Sequence, residues 1–433
     1  LLFFINNCSF DNKTGIWKNE NKISKKDQNL FKKFETLSSE SQYYNKTVTL
    51  ENSFKFNLTP PRENFEWSEL FFNEKNNSIN FSYNEKNEII FKSRKLTRTD
   101  LRNQILFSNN NFIINDDKGN IISYSIDNEK ITNKFNFYKK KFKNIKKTLN
   151  LILEDGIIYV SDNLGYLYAY DNINNKLIWA KNYKIPFRSN LKIIDNQLVT
   201  SNTNNDLYFF DKLNGDLLKM IPTEVITIKN KFINNLSVNN NELFFLNTYG
   251  SLYSIDKNTR RINWFLNLNR SLDLNPSNLF IGSKIINYDN KIVISSNFFT
   301  YIINASNGSI IHKMNFASKI KPVINNNFLF LISKKNFLIS MNLNDGKLLY
   351  SYDINEKIAK FLKTKKKEVE FKDIVILNNK IFIFLKNSYL IKFNLNGSIE
   401  EIIKLPSKIY SQPVFIKNAI VYLNNNNRLI ILD

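Results

Sequence analysis

The chemistry open to this 433-residue chain is narrowed by its one histidine, His312, and its one cysteine, Cys8. A lone histidine cannot build a histidine-based metal cluster or an acid–base relay within one chain, and a lone cysteine excludes an internal disulfide. His312 follows Ile310-Ile311 in a strand-like run, which suits a structural residue. Phosphate-cradling glycine-rich loops are missing, and the aspartates recur singly in each repeat, as turn caps rather than metal ligands. The expectation is a chain with no catalytic, cofactor-binding or metal-binding residue.

Composition points to strands. The chain has 37 Phe and 20 Tyr but only 10 Gly and 8 Pro, so Asn and Asp must make most turns. A formal charge of +22 would favour nucleic acid or anionic lipid. The excess of Lys, Asn and Ile is, however, what codon usage in an AT-rich genome produces. The lysines are scattered in sequence, with denser runs at 139–147 and 363–367, and no aromatic–basic module accompanies them. These runs read as solvated loops, and no nucleic-acid partner is expected.

Residues 162–180 carry the clearest unit: Tyr166–Tyr170 alternate as a strand, Asp171–Asn175 turn, and Lys176–Ala180 run back through Trp179. The same grammar recurs with turn-opening residues Asp127, Asp211, Asp256, Asn304, Asn342, Asn394 and Asp433. A period of about 40–50 residues filled with short strands is the mark of a propeller. The fold class is therefore all-β: an eight-bladed β-propeller of four-stranded antiparallel blades. Asp433 stands where a turn should open, which leaves the eighth blade without its outer strand. The expected donor is the N-terminal segment 65–72, with Trp67 taking the place that Trp179 and Trp264 hold in their own repeats; a rival donor is the hairpin 79–91. All three tryptophans are expected to pack between blades.

The first residues read as an address. Residues 1–5 look like the tail of an apolar signal segment, and Cys8 follows as in a bacterial lipoprotein signal, although Asn7 departs from the usual small residue before the lipidated Cys. Residues 1–8 are read as this segment, 9–62 as a disordered tether rich in Asn, Lys, Ser and Glu, and 63–433 as the propeller. Lipidation of Cys8 would anchor the protein without spanning the membrane, and Ser9 resembles the pattern sent to the outer membrane.

The turn-to-Trp spacing of Asp171 to Trp179 and Asp256 to Trp264 resembles the Ala-x-Asp-x-x-Thr-Gly-x-x-x-Trp repeat of the pyrroloquinoline-quinone-like propellers. Gly215, Gly308 and Gly346 match its glycine, whereas Asn175 and Arg260 replace it; Lys219, His312 and Tyr350 stand where Trp would be. One branch of that superfamily comprises quinoprotein dehydrogenases, whose adjacent-cysteine disulfide cannot form here. The other is the BamB family of outer-membrane assembly lipoproteins, which the Cys, tether and propeller together resemble. That resemblance implies a non-enzymatic, cofactor-free scaffold on the periplasmic face of the outer membrane; the alternatives are a periplasmic lipoprotein propeller that binds another envelope partner and, last, a quinoprotein-type enzyme. Its partner would be the barrel-forming BamA-like protein, contacted through its periplasmic domains, with unfolded outer-membrane proteins as clients. A family loop carrying Leu-Arg docks on that partner, and Ile185-Pro186-Phe187-Arg188 occupies a similar place, so Phe187 and Arg188 become the expected contact residues. The family's acidic pair is not evident at residues 229–233.

Overall fold

Within each repeat the first three strands are apolar on both faces, because every blade packs face to face against two neighbours. Ile157–Asp162 and Tyr166–Asp171 of the second repeat are almost wholly buried, while its last strand, Lys176–Asn182, alternates between exposed and half-buried positions. The computed structural model describes residues 44–225, 232–269 and 280–433, together with two short strands, Ser9–Phe10 and Trp17–Lys18. Those two strands pair antiparallel with each other in a separate unit of residues 1–40. Cys8 lies outside the described residues.

Eight four-stranded antiparallel blades form a ring. Blades 1 to 7 begin with the inner strands Leu101–Ser108, Leu149–Glu154, Lys192–Ile194, Asn235–Val238, Ile286–Tyr288, Val323–Asn325 and Phe371–Leu377. Blade 8 begins with Val414–Ile416 and continues through Ala419–Leu423 and Leu429–Leu432. Asparagine supplies much of the left-handed backbone in the turns, as at Asn109–Asn110 and Asn378–Asn379. Because strands alternate in direction, each blade's middle hairpin and the connection to the next blade emerge on one face of the ring. The other two hairpins emerge on the opposite face. Contacts such as Lys334 N–H to Ala317 O and Asn425 N–H to Lys408 O join neighbouring loops of the first face.

Trp179 and Trp264 stand between blades. Each ring covers the turn glycine of the following blade, Gly215 or Gly308, and each Nε1 donates to that turn, at Lys212 O (3.1 Å) and Ala305 O (2.9 Å). Gly215 has a φ of +75°, and a Cβ there would lie 2.5 Å from Trp179, so glycine is required twice over. His312 covers Gly346 in the same way.

Two expectations are corrected. The outer strand of blade 8 is Ile89–Lys92, paired antiparallel with Leu429–Leu432, and not the segment 65–72. Closure thus comes from the end of the rival hairpin. Trp67 does not take the blade-packing place of Trp179; it is buried against Phe72, Phe81 and Phe415 at the inner ends of the blades. The tether, expected to run to residue 62, is also shorter where it can be followed. Tyr44 packs on Phe316, Val48 exchanges two backbone hydrogen bonds with Ser351 at the outer edge of blade 6, and Phe54 and Phe56 pack on Phe328. Tyr44, Val48, Leu50, Phe54, Phe56 and Leu58 all pack on the ring's core, which holds residues 44–62 against it.

Candidate functional site

After Arg62 the chain enters the centre of the ring and makes one lap of it. Asn64 Nδ2 donates to Phe415 O of blade 8, Trp67 exchanges two backbone bonds with Phe107 of blade 1, and Ser68 O accepts from Leu153 N–H of blade 2. Glu69 then meets Lys192 of blade 3, and Glu74 O accepts from Val238 N–H of blade 4. Lys75 O accepts from Asn287 N–H of blade 5, Asn77 bonds both ways with the backbone of Ile324 of blade 6, and Asn80–Phe81 lies parallel to Ile376–Leu377 of blade 7. Inner strands have no neighbour toward the ring axis, and this segment satisfies the backbone groups they would otherwise leave open.

The segment surrounds itself with buried charge. Lys192 is fully buried against Glu69, and its Nζ also donates to Asn73 O at 3.1 Å. Burial pulls the Lys192 ammonium below its ordinary pKa, and Glu69 opposes that shift. Lys284 Nζ lies over the rings of Phe71 and Phe232, and burial lowers it to about 8. A narrow cavity beside Trp67, Phe71 and Phe72 reaches Gln104, Lys321 and Asp373. Burial raises the Asp373 carboxyl to about 6, an effect partly offset by Lys321. Since this folded pKa lies above the unfolded one, the stability linked to Asp373 is complete below about pH 4 and falls as pH rises through 6. Asp373→Asn is therefore expected to raise stability at pH 8 by up to about 3 kcal/mol and to leave it unchanged at pH 4. Urea unfolding at both pH values checks this; a loss at pH 8 would mean that attraction to Lys321 outweighs the burial of the charge.

Phe187 and Arg188 lie in the connection between blades 2 and 3. Phe187 is 3% exposed and packs on Tyr183, Tyr208 and Phe210, so the expectation that it is itself a contact residue is corrected. Its N–H donates to Asp162 O of blade 2, and Arg188 N–H to Ser201 O of blade 3, which fixes the loop across two blades. Arg188 itself is half-buried, and burial lowers its pKa. Ile185 and Pro186 are half-buried and Lys184 exposed, so these residues with Arg188 form the reachable surface of the loop.

Among the described residues no group of three or more His, Cys, Asp or Glu side chains could hold a metal ion. No helix of the described residues is long and apolar enough to cross a membrane. His312, the chain's one histidine, sits on an outer strand, away from the ring axis.

No family model matches the sequence, and no curated protein matches it. The fold is similar to BamB from Moraxella catarrhalis, at a TM-score of 0.64 and 11% identity, covering 80% of this chain and 99% of that one. It is similar to the quinohemoprotein alcohol dehydrogenase from Comamonas testosteroni, at a TM-score of 0.61 and 8% identity, covering 85% of this chain and 80% of that one. A computationally designed protein, Ika8, matches at a TM-score of 0.58 and 11% identity, over 78% of this chain and 99% of its own. The chain thus folds as an eight-bladed β-propeller, the fold it shares with BamB and the quinohemoprotein alcohol dehydrogenases.

Proposed function

We propose that the chain is a BamB-like, non-enzymatic scaffold of outer-membrane β-barrel assembly, held at the periplasmic face of that membrane by a lipid on Cys8. What supports this reading is the fold match to BamB over 99% of its chain, taken with the single Cys8 behind an apolar segment. The partner surface is the loop between blades 2 and 3: Lys184, Ile185, Pro186 and Arg188 face outward, and Phe187 is the buried footing that keeps them rigid. A rigid loop loses little entropy on docking, which favours a protein partner. Clients would be held by strand addition at blade edges, as Val48 of the chain itself is held at Ser351. The outer strands of blades 3 and 4 expose Leu217, Met220 and Phe265, which would suit extended apolar clients.

The test is to tag the C-terminus, solubilise the outer membrane gently and identify what co-purifies. Recovery of the barrel-assembly protein is expected, and Arg188→Glu should weaken it about tenfold, equivalent to about 1.4 kcal/mol. A preparation that lacks this protein while the assembly machine stays intact would overturn the reading. Saturable binding of a quinone on titration would instead favour an enzyme.

A further inference from the structure

The positive charge that is scattered in sequence is gathered in space. Lys139, Lys140, Lys141, Lys143 and Lys146 lie in the connection from blade 1 to blade 2, and Arg94, Lys95 and Arg98 in that from blade 8 to blade 1. Lys360, Lys363, Lys365, Lys366 and Lys367 lie between blades 6 and 7, and Lys334 and Lys335 in the middle hairpin of blade 6. Strand alternation puts all of these loops on one face of the ring, and every one of these side chains is exposed. Acidic groups beside them are mostly tied up already: Asp117 with Lys146, Asp353 with Lys366, Glu356 with Lys360, Glu368 with Lys319 and Glu370 with Lys386. On the opposite face Asp127, Glu129, Asp155, Asp195, Asp216, Asp289, Asp345, Glu88 and Asp433 balance Lys86, Lys212, Lys257, Arg260, Arg261, Lys347 and Lys417. The excess charge is therefore one-sided.

Apolar side chains project from the same loops. Phe298 is 63% exposed and shares a surface groove with Lys334 and Lys335, and Ile145 is exposed within the lysine run between blades 1 and 2. Asp353 caps the helix Ile354–Leu362 by accepting from Glu356 N–H, and the far end of that helix presents Phe361 and Leu362, each nearly half exposed, just before Lys363. Asn45 also lines the groove of Phe298. Arg188 lies in the connection between blades 2 and 3, outside the arc that runs from blade 5 through blade 8 to the connection after blade 1.

We propose that this arc of basic loops docks on an anionic lipid bilayer, with Phe298, Phe361, Leu362 and Ile145 entering the headgroup layer and the lysines contacting lipid phosphates. A bilayer is the occupant because the charged loops share one face of the ring and carry isolated exposed apolar side chains, which a water-filled polyanion surface would not reward. The inference is independent of the partner proposed above, since it needs only the purified chain and lipid.

Vesicle sedimentation of the full chain carrying Cys8→Ser tests it. Binding is expected to phosphatidylethanolamine vesicles with about a quarter phosphatidylglycerol, not to phosphatidylcholine, and to fall as salt rises from about 0.05 to 0.5 M. Each lysine near an anionic leaflet raises partitioning roughly fivefold, so Lys140→Glu, Lys141→Glu and Lys143→Glu together should lower it roughly a hundredfold. The same charge change on the opposite face, Lys257→Glu, Arg261→Glu and Lys417→Glu, should lower it far less. Phe361→Ser with Leu362→Ser should weaken binding severalfold even at low salt, with circular dichroism confirming the fold of each variant. Equal losses from both triple variants, or no preference for anionic vesicles, would overturn the proposal. So would binding that survives both triples and high salt, which would come from the apolar residues 1–5. Tighter binding to an oligonucleotide than to these vesicles, lost with the first triple, would also overturn it.

Discussion

Glu69→Ala is expected to destabilise the propeller by about 3–5 kcal/mol, because it leaves the ammonium of Lys192 buried without its counter-charge. The side chain of Lys192 is wholly inaccessible, and what would remain to it is one neutral acceptor, Asn73 O at 3.1 Å, and the weaker attraction of Glu74. The removal therefore exposes the burial cost of the cation rather than the modest value of the pair. Replacing both partners, Glu69→Leu with Lys192→Met, should restore stability to within about 1–2 kcal/mol of the parent, since no charge is then buried. The lysine pKa, already lowered by burial, should fall further in the single variant. A depressed lysine contributes stability that is lost as pH falls through its folded pKa, so the defect of Glu69→Ala should shrink toward about pH 10. Urea unfolding of the three proteins at neutral and alkaline pH checks both points. A cost below about 1 kcal/mol for Glu69→Ala would show that the central segment is held by its backbone bonds alone.

The repeat was legible in the sequence because its signal is local. Asp171 Oδ1 accepts from the backbone N–H groups of Ile173 and Asn174, and Asp256 Oδ1 does the same for Asn258 and Thr259, so each turn is written in three or four adjacent residues. The spacing from Asp171 to Trp179 showed the outer hairpin for the same reason. The central lap of residues 64–81 was not legible. Asn76, Asn77 and Asn80 read as turn residues in sequence, yet their amides serve the backbones of Leu236, Ile285 and Ile324 and the side chain of Asn379, far away along the chain. Trp67 misled for a related reason, since a large apolar residue fits a buried centre as well as a blade interface. Phe187 beside Arg188 suggested an exposed anchor, but exposure depends on Tyr208 and Phe210 of the next strand. The basic face did have a sequence signal: its lysines fall in connections between repeats and in middle hairpins, which alternate in position with the turns opened by Asp171 or Asp211.

The closing strand makes the last and most cooperative prediction. Ser93 is buried at its end; its N–H donates to Leu429 O at 3.0 Å, and its Oγ accepts from Leu429 N–H at 2.9 Å. Ser93→Pro removes both bonds at once, leaving a buried N–H and a buried carbonyl without partners, at an expected cost of about 3 kcal/mol. Ser93→Ala keeps the backbone bond and should cost about 1–2 kcal/mol. The larger loss has a topological consequence, because Ile89–Lys92 is the clasp between the two ends of the ring and not one strand among many. Losing it uncovers the edge of Leu429–Leu432, an apolar strand of four residues that would then be open to pairing with another chain. Trypsin should cut Ser93→Pro after Lys86, Arg94 and Lys95 well before it cuts the parent, and the variant should aggregate at concentrations where the parent stays monodisperse. Segment 64–81 is held to all eight inner strands independently of the clasp, so its cleavage should lag behind. Simultaneous cutting of both regions would mean that clasp and central segment open as one unit, whereas unchanged protection at residues 86–94 would show that the pairing of Phe91 with Ile431 closes the ring without Ser93.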